Sequence, residues 1–138
     1  MNHQKFEILQ QLNLPLGQYA VTGSGPLGIR NLRPVGDIDL IVSPKLKNEL
    51  IAKYGMTDDG KVKKVVFPQG NMEAFWEGSF YTQPKDPQTP TVADIISRAE
   101  IIEGLAFASL EDILYFKRKM NRDKDLKDIV LIEEWQKT

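Results

Sequence analysis

Apolar residues recur along this chain with two different periods, and the switches between them mark its elements. Phe6, Leu9 and Leu12, with Ile8 beside them, repeat at helical spacing and predict a short amphipathic helix over residues 3–12. Leu14-Pro15-Leu16-Gly17 ends it, because proline disfavours helix at the residue before it. Tyr19–Thr22 then reads as a strand that stops at Gly23-Ser24-Gly25. Pro26 suits the first position of a helix, where its fixed φ fits and no N–H is needed. Asp37-Ile38-Asp39 runs directly into Leu40, Ile41 and Val42, a strand that carries two acids at its start.

The pattern continues with a Ser43-Pro44 helix start, an apolar stripe of Leu46, Leu50, Ile51 and Tyr54, and a stop at Gly55. Asp58-Asp59-Gly60 is a turn. Residues 61–67 and 72–77 read as two strands joined by Pro68-Gln69-Gly70-Asn71, a hairpin expected to join the sheet of Asp37 and Asp39. In the second strand Met72, Ala74 and Trp76 take one face, and Glu73, Phe75 and Glu77 the other. Residues 78–90 carry three prolines and are polar and irregular. They serve either as a lid or acceptor-recognition loop or as a plain surface connection. A short helix over 91–98 turns Val92, Ile95 and Ile96 inward. Residues 100–109 form two short strands, or one bent strand, about Gly104.

Ser109 caps the next helix, with Glu111 and Asp112 at the positive end of its dipole and Leu110, Ile113, Leu114 and Met120 inward. Asn121-Arg122-Asp123 breaks it. The final helix, 124–136, is expected to bury Leu126, Ile129, Val130 and Trp135. The sum is an α/β (α+β) chain: a single domain over residues 1–138, with a small mixed sheet flanked by helices. The glycine turn and the acid-bearing strand lie at one edge of a cleft.

Composition narrows the chemistry. There is no cysteine, and the one histidine is His3 near the start of the chain. That removes disulfides, thiol nucleophiles, cysteine-ligated zinc and histidine-dependent triads. The net charge of −1 gives no argument for nucleic acid or membrane binding. No apolar run is long enough to span a bilayer, and MNHQKFEILQ lacks a secretory apolar core, so a cytoplasmic location without membrane contact is expected.

What remains is carboxylate, lysine, arginine, hydroxyl and backbone N–H. A glycine turn feeding a helix start aims backbone N–H groups at open space, where a phosphate binds. Asp37 and Asp39, two residues apart on a strand, share one face with backbones about 7 Å apart. Paired carboxylates repel unless a cation lies between them, and magnesium is the hard ion that accepts such ligands while keeping positions open for phosphates. Two such ions can clamp the attacking and leaving oxygens of a displacement. The segment 117–127, KRKMNRDKDLK, sets six Lys and Arg against two Asp, unlike the rest of the chain.

The Gly-Ser turn, the spacer and Asp37-Ile38-Asp39 within an apolar strand resemble the nucleotidyltransferase superfamily typified by DNA polymerase β. The resemblance extends to SLEDILYFKRKMNRDKDLKDI, which is similar to the C-terminal helices of small bacterial members. It implies a nucleotidyltransferase-like fold and an enzyme that moves a nucleoside monophosphate from a nucleoside triphosphate to an acceptor hydroxyl or phosphate. Gly23 and Ser24 would hold the triphosphate, and Asp37 and Asp39 would bind magnesium, with two ions expected. Lys117, Arg122 and Lys124 would contact nucleotide phosphates, and Asp125 would orient one of them or cap the final helix. A third acid on a neighbouring strand completes such sites and takes the acceptor proton. Glu73 fits that place, where the family usually has aspartate; Glu77, at the strand end, is the other choice. The acceptor, a small molecule, protein or RNA end, is not specified. A homo-oligomer or protein partner would complete a chain this short. The competing expectation is a non-catalytic nucleotidyltransferase-like module acting through a protein partner, as in toxin–antitoxin pairs.

Overall fold

The computed structural model describes residues 3–81 and 84–138. In chain order its elements are α1 (His3–Leu12), β1 (Tyr19–Thr22), α2 (Gly25–Gly28), β2 (Ile38–Val42), α3 (Pro44–Tyr54) and β3 (Thr57–Asp58). There follow β4 (Lys63–Val66), β5 (Met72–Phe75), α4 (Val92–Ser97), β6 (Glu100–Ile102), β7 (Leu105–Phe107), α5 (Leu110–Met120) and α6 (Asp123–Gln136). The strands make one mixed sheet in the order β3-β4-β5-β2-β1-β7-β6. β1 pairs antiparallel to β2 and parallel to β7, and β2 pairs parallel to β5. The mixed α/β class follows from these elements.

Alternation along the central strands feeds two cores. Tyr19, Val21, Leu40, Val42, Met72 and Ala74 lie on one face with Phe6 and Leu9 of α1 and Leu46 and Leu50 of α3. Ala20 and Ile41 lie on the other with Val92 and Ile95 of α4, Ile113 and Leu114 of α5, and Ile132 of α6. Thr22 opposes Asp39 and Ala20 opposes Ile41 across β1–β2, so Asp39 stands on the second face.

The helix ends follow their local chemistry. The Ser43 and Ser109 hydroxyls accept from the Leu46 and Asp112 N–H groups at the starts of α3 and α5. Thr91 and Asp94 close a capping box on α4. Asn121 ends α5 in the left-handed region, at φ 51°. The 61–67 and 72–77 strands form the expected antiparallel hairpin, trimmed to β4 and β5. The Asp58 turn contributes a two-residue strand, β3, that pairs with β4. The 100–109 segment resolves into two strands turning at Glu103 and Gly104.

One expectation is corrected. Leu126, Val130 and Trp135 are 47%, 56% and 43% exposed, while Asp125 and Asp128 are 0% and 3% exposed. The inward stripe of α6 is Asp125, Asp128 and Ile132. Arg33 and Lys117 reach Asp128 from outside the helix, and Asp125 is held by Arg122, the N-cap residue of α6, with Lys117 nearby. No described helix is long and apolar enough to cross a membrane.

Candidate functional site

The glycine turn lies against the acid-bearing strand. Gly23 has φ +65°, and a Cβ built there would sit 3.1 Å from Asp39 Oδ2. Glycine is therefore needed twice, for the left-handed backbone and for the close approach. Gly25, the first residue of α2, packs so tightly on β1 that a Cβ would meet Val21 Cγ1 at 2.3 Å. Pro26 follows in the first turn, as its fixed φ allows. The Ser24 hydroxyl accepts from the Gly36 N–H at 3.0 Å and ties the turn to the residue before Asp37.

The loop from α2 to β2 is fastened at two further points. Lys5 Nζ donates to the Val35 carbonyl at 2.6 Å, and Arg33 donates both to the Pro34 carbonyl and to Asp128. Asp37 precedes β2 by one residue and is exposed, while Asp39 is half-buried within it. Glu73 lies in register with Asp39 on the adjacent parallel strand. Three acids thus share one region of the second sheet face. Burial, then the charges of Glu73 and Asp37, push the Asp39 carboxyl up to about 6, with Lys64 and Lys124 offsetting part of the effect.

Glu73 has a partner within its own chain. Lys64 Nζ, on β4, lies 2.8 Å from the Glu73 carboxylate and 3.6 Å from Asp59. Among the described residues, no group of three or more His, Cys, Asp and Glu side chains is arranged to hold a metal ion as it stands. The donor chemistry suits magnesium: hard oxygen ligands lie on one face, and burial with the neighbouring charges of Glu73 and Asp37 disfavours the Asp39 carboxylate until a cation joins them. Glu77 lies elsewhere. It accepts from Lys85 at 2.8 Å and from the Val92 N–H at 2.8 Å; burial alone would raise its carboxyl, but these two bonds and the Lys85 charge together bring it below its ordinary value.

The basic segment divides. Lys117 Nζ lies 2.8 Å from Asp128 and 3.7 Å from Asp125. Arg122 donates to Asp125 at 2.7 and 3.1 Å, and its backbone N–H donates to the same carboxylate at 3.0 Å. Asp125 therefore both orients Arg122 and caps α6. Burial alone would raise the Asp125 carboxyl, but the Arg122 hydrogen bonds, aided by the charges of Arg122 and Lys117, bring it below its ordinary value. Lys124 is exposed, and its charge acts on Asp39.

Lys117 and Arg122 line a cavity of about 150 Å³ together with Thr22, Gly23, Phe80, Tyr81 and Phe116. Part of the 78–90 segment thus forms a wall. It is tied to α5 by Thr89 bonding the Tyr115 hydroxyl and by Lys119 bonding Asp86, a pairing that takes the Asp86 carboxyl down to about 2. The lid or acceptor-recognition reading of this segment also covers Thr82 and Gln83, which lie outside the described residues.

Sequence reasoning missed Lys64, Asp128, Arg33 and the aromatic wall. Lys64 had a signal, since it shares a face with Val66, which opposes Glu73, and so sits diagonally from that acid. Asp128 had none, because its partners Arg33 and Lys117 are distant in sequence. Set against protein-family models, curated proteins and solved structures, the chain matches none.

Proposed function

We propose that the protein is a magnesium-dependent nucleotidyltransferase. It moves a nucleoside monophosphate group from a nucleoside triphosphate to an acceptor hydroxyl or phosphate. The observation that carries this reading is the joining of Gly23 to a three-acid region, with Asp39 beneath the turn and Glu73 in register beside it. The resemblance of the Gly-Ser turn and the Asp37-Ile38-Asp39 strand to DNA polymerase β-like nucleotidyltransferases supports it. So do Lys117 and Arg122, which line the cavity beside Gly23, and Lys124, whose charge reaches Asp39.

In this reading the turn at Gly23 and Ser24 receives the triphosphate, and Lys124 lends it charge. Asp37 and Asp39, joined by Glu73, would hold magnesium, which would supply positive charge against the charge that develops on the transferring group. An acceptor oxygen bonds to the α-phosphorus, the bond to the β-phosphate oxygen breaks, and pyrophosphate leaves. The acceptor proton passes to Glu73, the carboxylate placed beside Asp39 and apart from the turn.

A specific observation favours a second reading, a nucleotide-binding module without transfer that works through a protein partner. The ion pair to Lys64 occupies the carboxylate that would take the proton. One experiment separates the two: incubation with each α-labelled nucleoside triphosphate and magnesium, scoring binding and label transfer together. Transfer that Glu73→Gln abolishes, with binding kept, supports the enzyme. Binding without transfer supports the module, and absence of magnesium-dependent binding overturns both.

A further inference from the structure

We infer that the crevice at the far end of β2 from Asp39 binds a small carboxylic acid with an apolar body. The inference is independent of the nucleotide reading. β2 and β5 are a parallel pair, so both end on the same edge of the sheet, at Val42 and Phe75. The chain leaves β2 for α3, whose Leu46 and Leu50 pack on the first sheet face. It leaves β5 for α4, whose Val92 and Ile95 pack on the second. Where neighbouring parallel strands send their connections to opposite faces, a crevice opens beyond their carboxyl ends, and ligands favour it in open α/β sheets. Here the crevice has a volume of about 660 Å³, within the range of pockets that hold small molecules.

The lining selects the class of ligand. Val42, Trp76, Val92 and Ile96 make it mainly apolar. Its polar side chains are engaged, with one exception. The Ser43 hydroxyl bonds Gln18 and the Leu46 N–H, and the Ser97 hydroxyl donates to the Asp94 carbonyl. Glu77, the acid in the lining, is taken by Lys85 and the Val92 N–H, which leaves a cationic ligand little to bind.

Lys47 is the exception. Its ammonium lies 5.0 Å from the Trp76 ring centroid, and no described carboxylate pairs with it. The ring attracts the cation through its π-face, while the ammonium N–H donors still call for oxygen acceptors. A carboxylate entering the crevice supplies them as charge-assisted bonds and lays its apolar body along Val92 and Ile96. An alcohol of the same shape is a weaker acceptor, and an amine adds a like charge beside Lys47.

The test follows the two indole N–H signals of the intact chain by NMR: Trp76 reports on the crevice, and Trp135 on α6 is the internal control. Phenylbutyrate, phenylbutanol and phenylbutylamine share one apolar body and differ in head group; decanoate offers an aliphatic body with the same acid. In wild type, phenylbutyrate or decanoate shifts the Trp76 signal and not that of Trp135. The acid binds about ten-fold more tightly than the alcohol, the scale of one hydrogen bond to a charged group, and the amine binds weakest. Lys47→Met removes the advantage of the acid over the alcohol, and Lys47→Arg keeps it. Ala93→Phe, which narrows the crevice from α4, weakens acid and alcohol alike. Equal binding of acid and alcohol by wild type overturns the inference, as does an advantage that Lys47→Met leaves intact or a Trp76 signal that neither acid moves. A Trp76 signal that shifts as the protein alone is concentrated gives the crevice to a second copy and overturns it too. Each of these failures leaves the nucleotide reading standing.

Discussion

Asp39 and Glu73 oppose each other on the parallel pair β2–β5, and Lys64 Nζ stands 2.8 Å from the second carboxylate. The resting site therefore carries an ammonium group where a third acid would otherwise face its neighbours alone. Lys64→Met should remove that neutralisation. The expected result is a metal-free protein less stable by about 1 kcal/mol at neutral pH, the upper end for partly exposed pairs. Magnesium should bind the variant more tightly than wild type. Calorimetric titration with magnesium alone checks the sign, and weaker binding by the variant would show that Lys64 holds Glu73 in a useful place.

Asp39 gives a pH signature. Its carboxyl ordinarily titrates at 3.8 and is raised to about 6 in the fold. An acid raised on folding favours the folded state only while protonated. Its contribution is whole below pH 4, is lost as pH rises through about 6, and amounts to on the order of 3 kcal/mol. Asp39→Asn should flatten the fall in metal-free stability between about pH 4 and 6 and leave the variant more stable than wild type at pH 7. Denaturant melts across that range measure it; parallel pH curves for the two proteins would refute it. The same substitution should abolish magnesium-dependent nucleotide binding, as should Asp37→Ala.

Gly23 tests the turn. Any side chain there faces both a left-handed backbone and the Asp39 carboxylate at 3.1 Å. Gly23→Ala should destabilise by about 1 kcal/mol or more, the cost of an unsuitable φ. It should weaken nucleoside triphosphates more than the bare nucleosides. Equal losses for both would assign the turn to shaping the fold rather than holding phosphate.

The local grammar of the chain was readable from its residues, and its long-range charges were not. Ser43 and Ser109 announce their helices because a cap and its N–H partner are three residues apart. The Asp37-Ile38-Asp39 run identifies a strand and a face by alternation alone. By contrast, α6 offers two stripes, one apolar through Leu126 and Val130 and one through Asp125, Asp128 and Ile132. Hydrophobicity favours the first. The fold selects the second, where Arg33 and Lys117, both from outside the helix, meet Asp128. Nothing within one helical turn signals the Arg33 contact. The aromatic cavity was hidden for the same reason: Phe80 and Phe116 meet only in three dimensions.

Asp128 should accordingly be a stability residue. It is 3% exposed and receives both Lys117 and Arg33. Asp128→Ala should cost about 3–5 kcal/mol, the loss when one partner of a buried ion pair is removed. A thermal melt is sufficient to check it, and a change below about 1 kcal/mol would place the pair among weak surface contacts.

The inward acids of α6 have a consequence for how that helix is attached. Beside the apolar seat of Ile132, this helix is fastened by Lys117 of α5, which borders the cavity and meets both Asp125 and Asp128, while Arg122, also at the cavity, bonds Asp125 within the helix's own first turn. Any dense polyanion arriving there bids for those cations against Asp125 and Asp128, so ligand capture and helix docking draw on a shared stock of positive charge. Asp125, held low by Arg122 against its own burial, keeps its ion pair with Lys117 at neutral pH and surrenders it as pH falls through its lowered value. The C-terminal helix is thereby a latch on an electrostatic spring. Its amides should be the ones whose hydrogen exchange quickens first in acid, in high salt, or when tripolyphosphate is added.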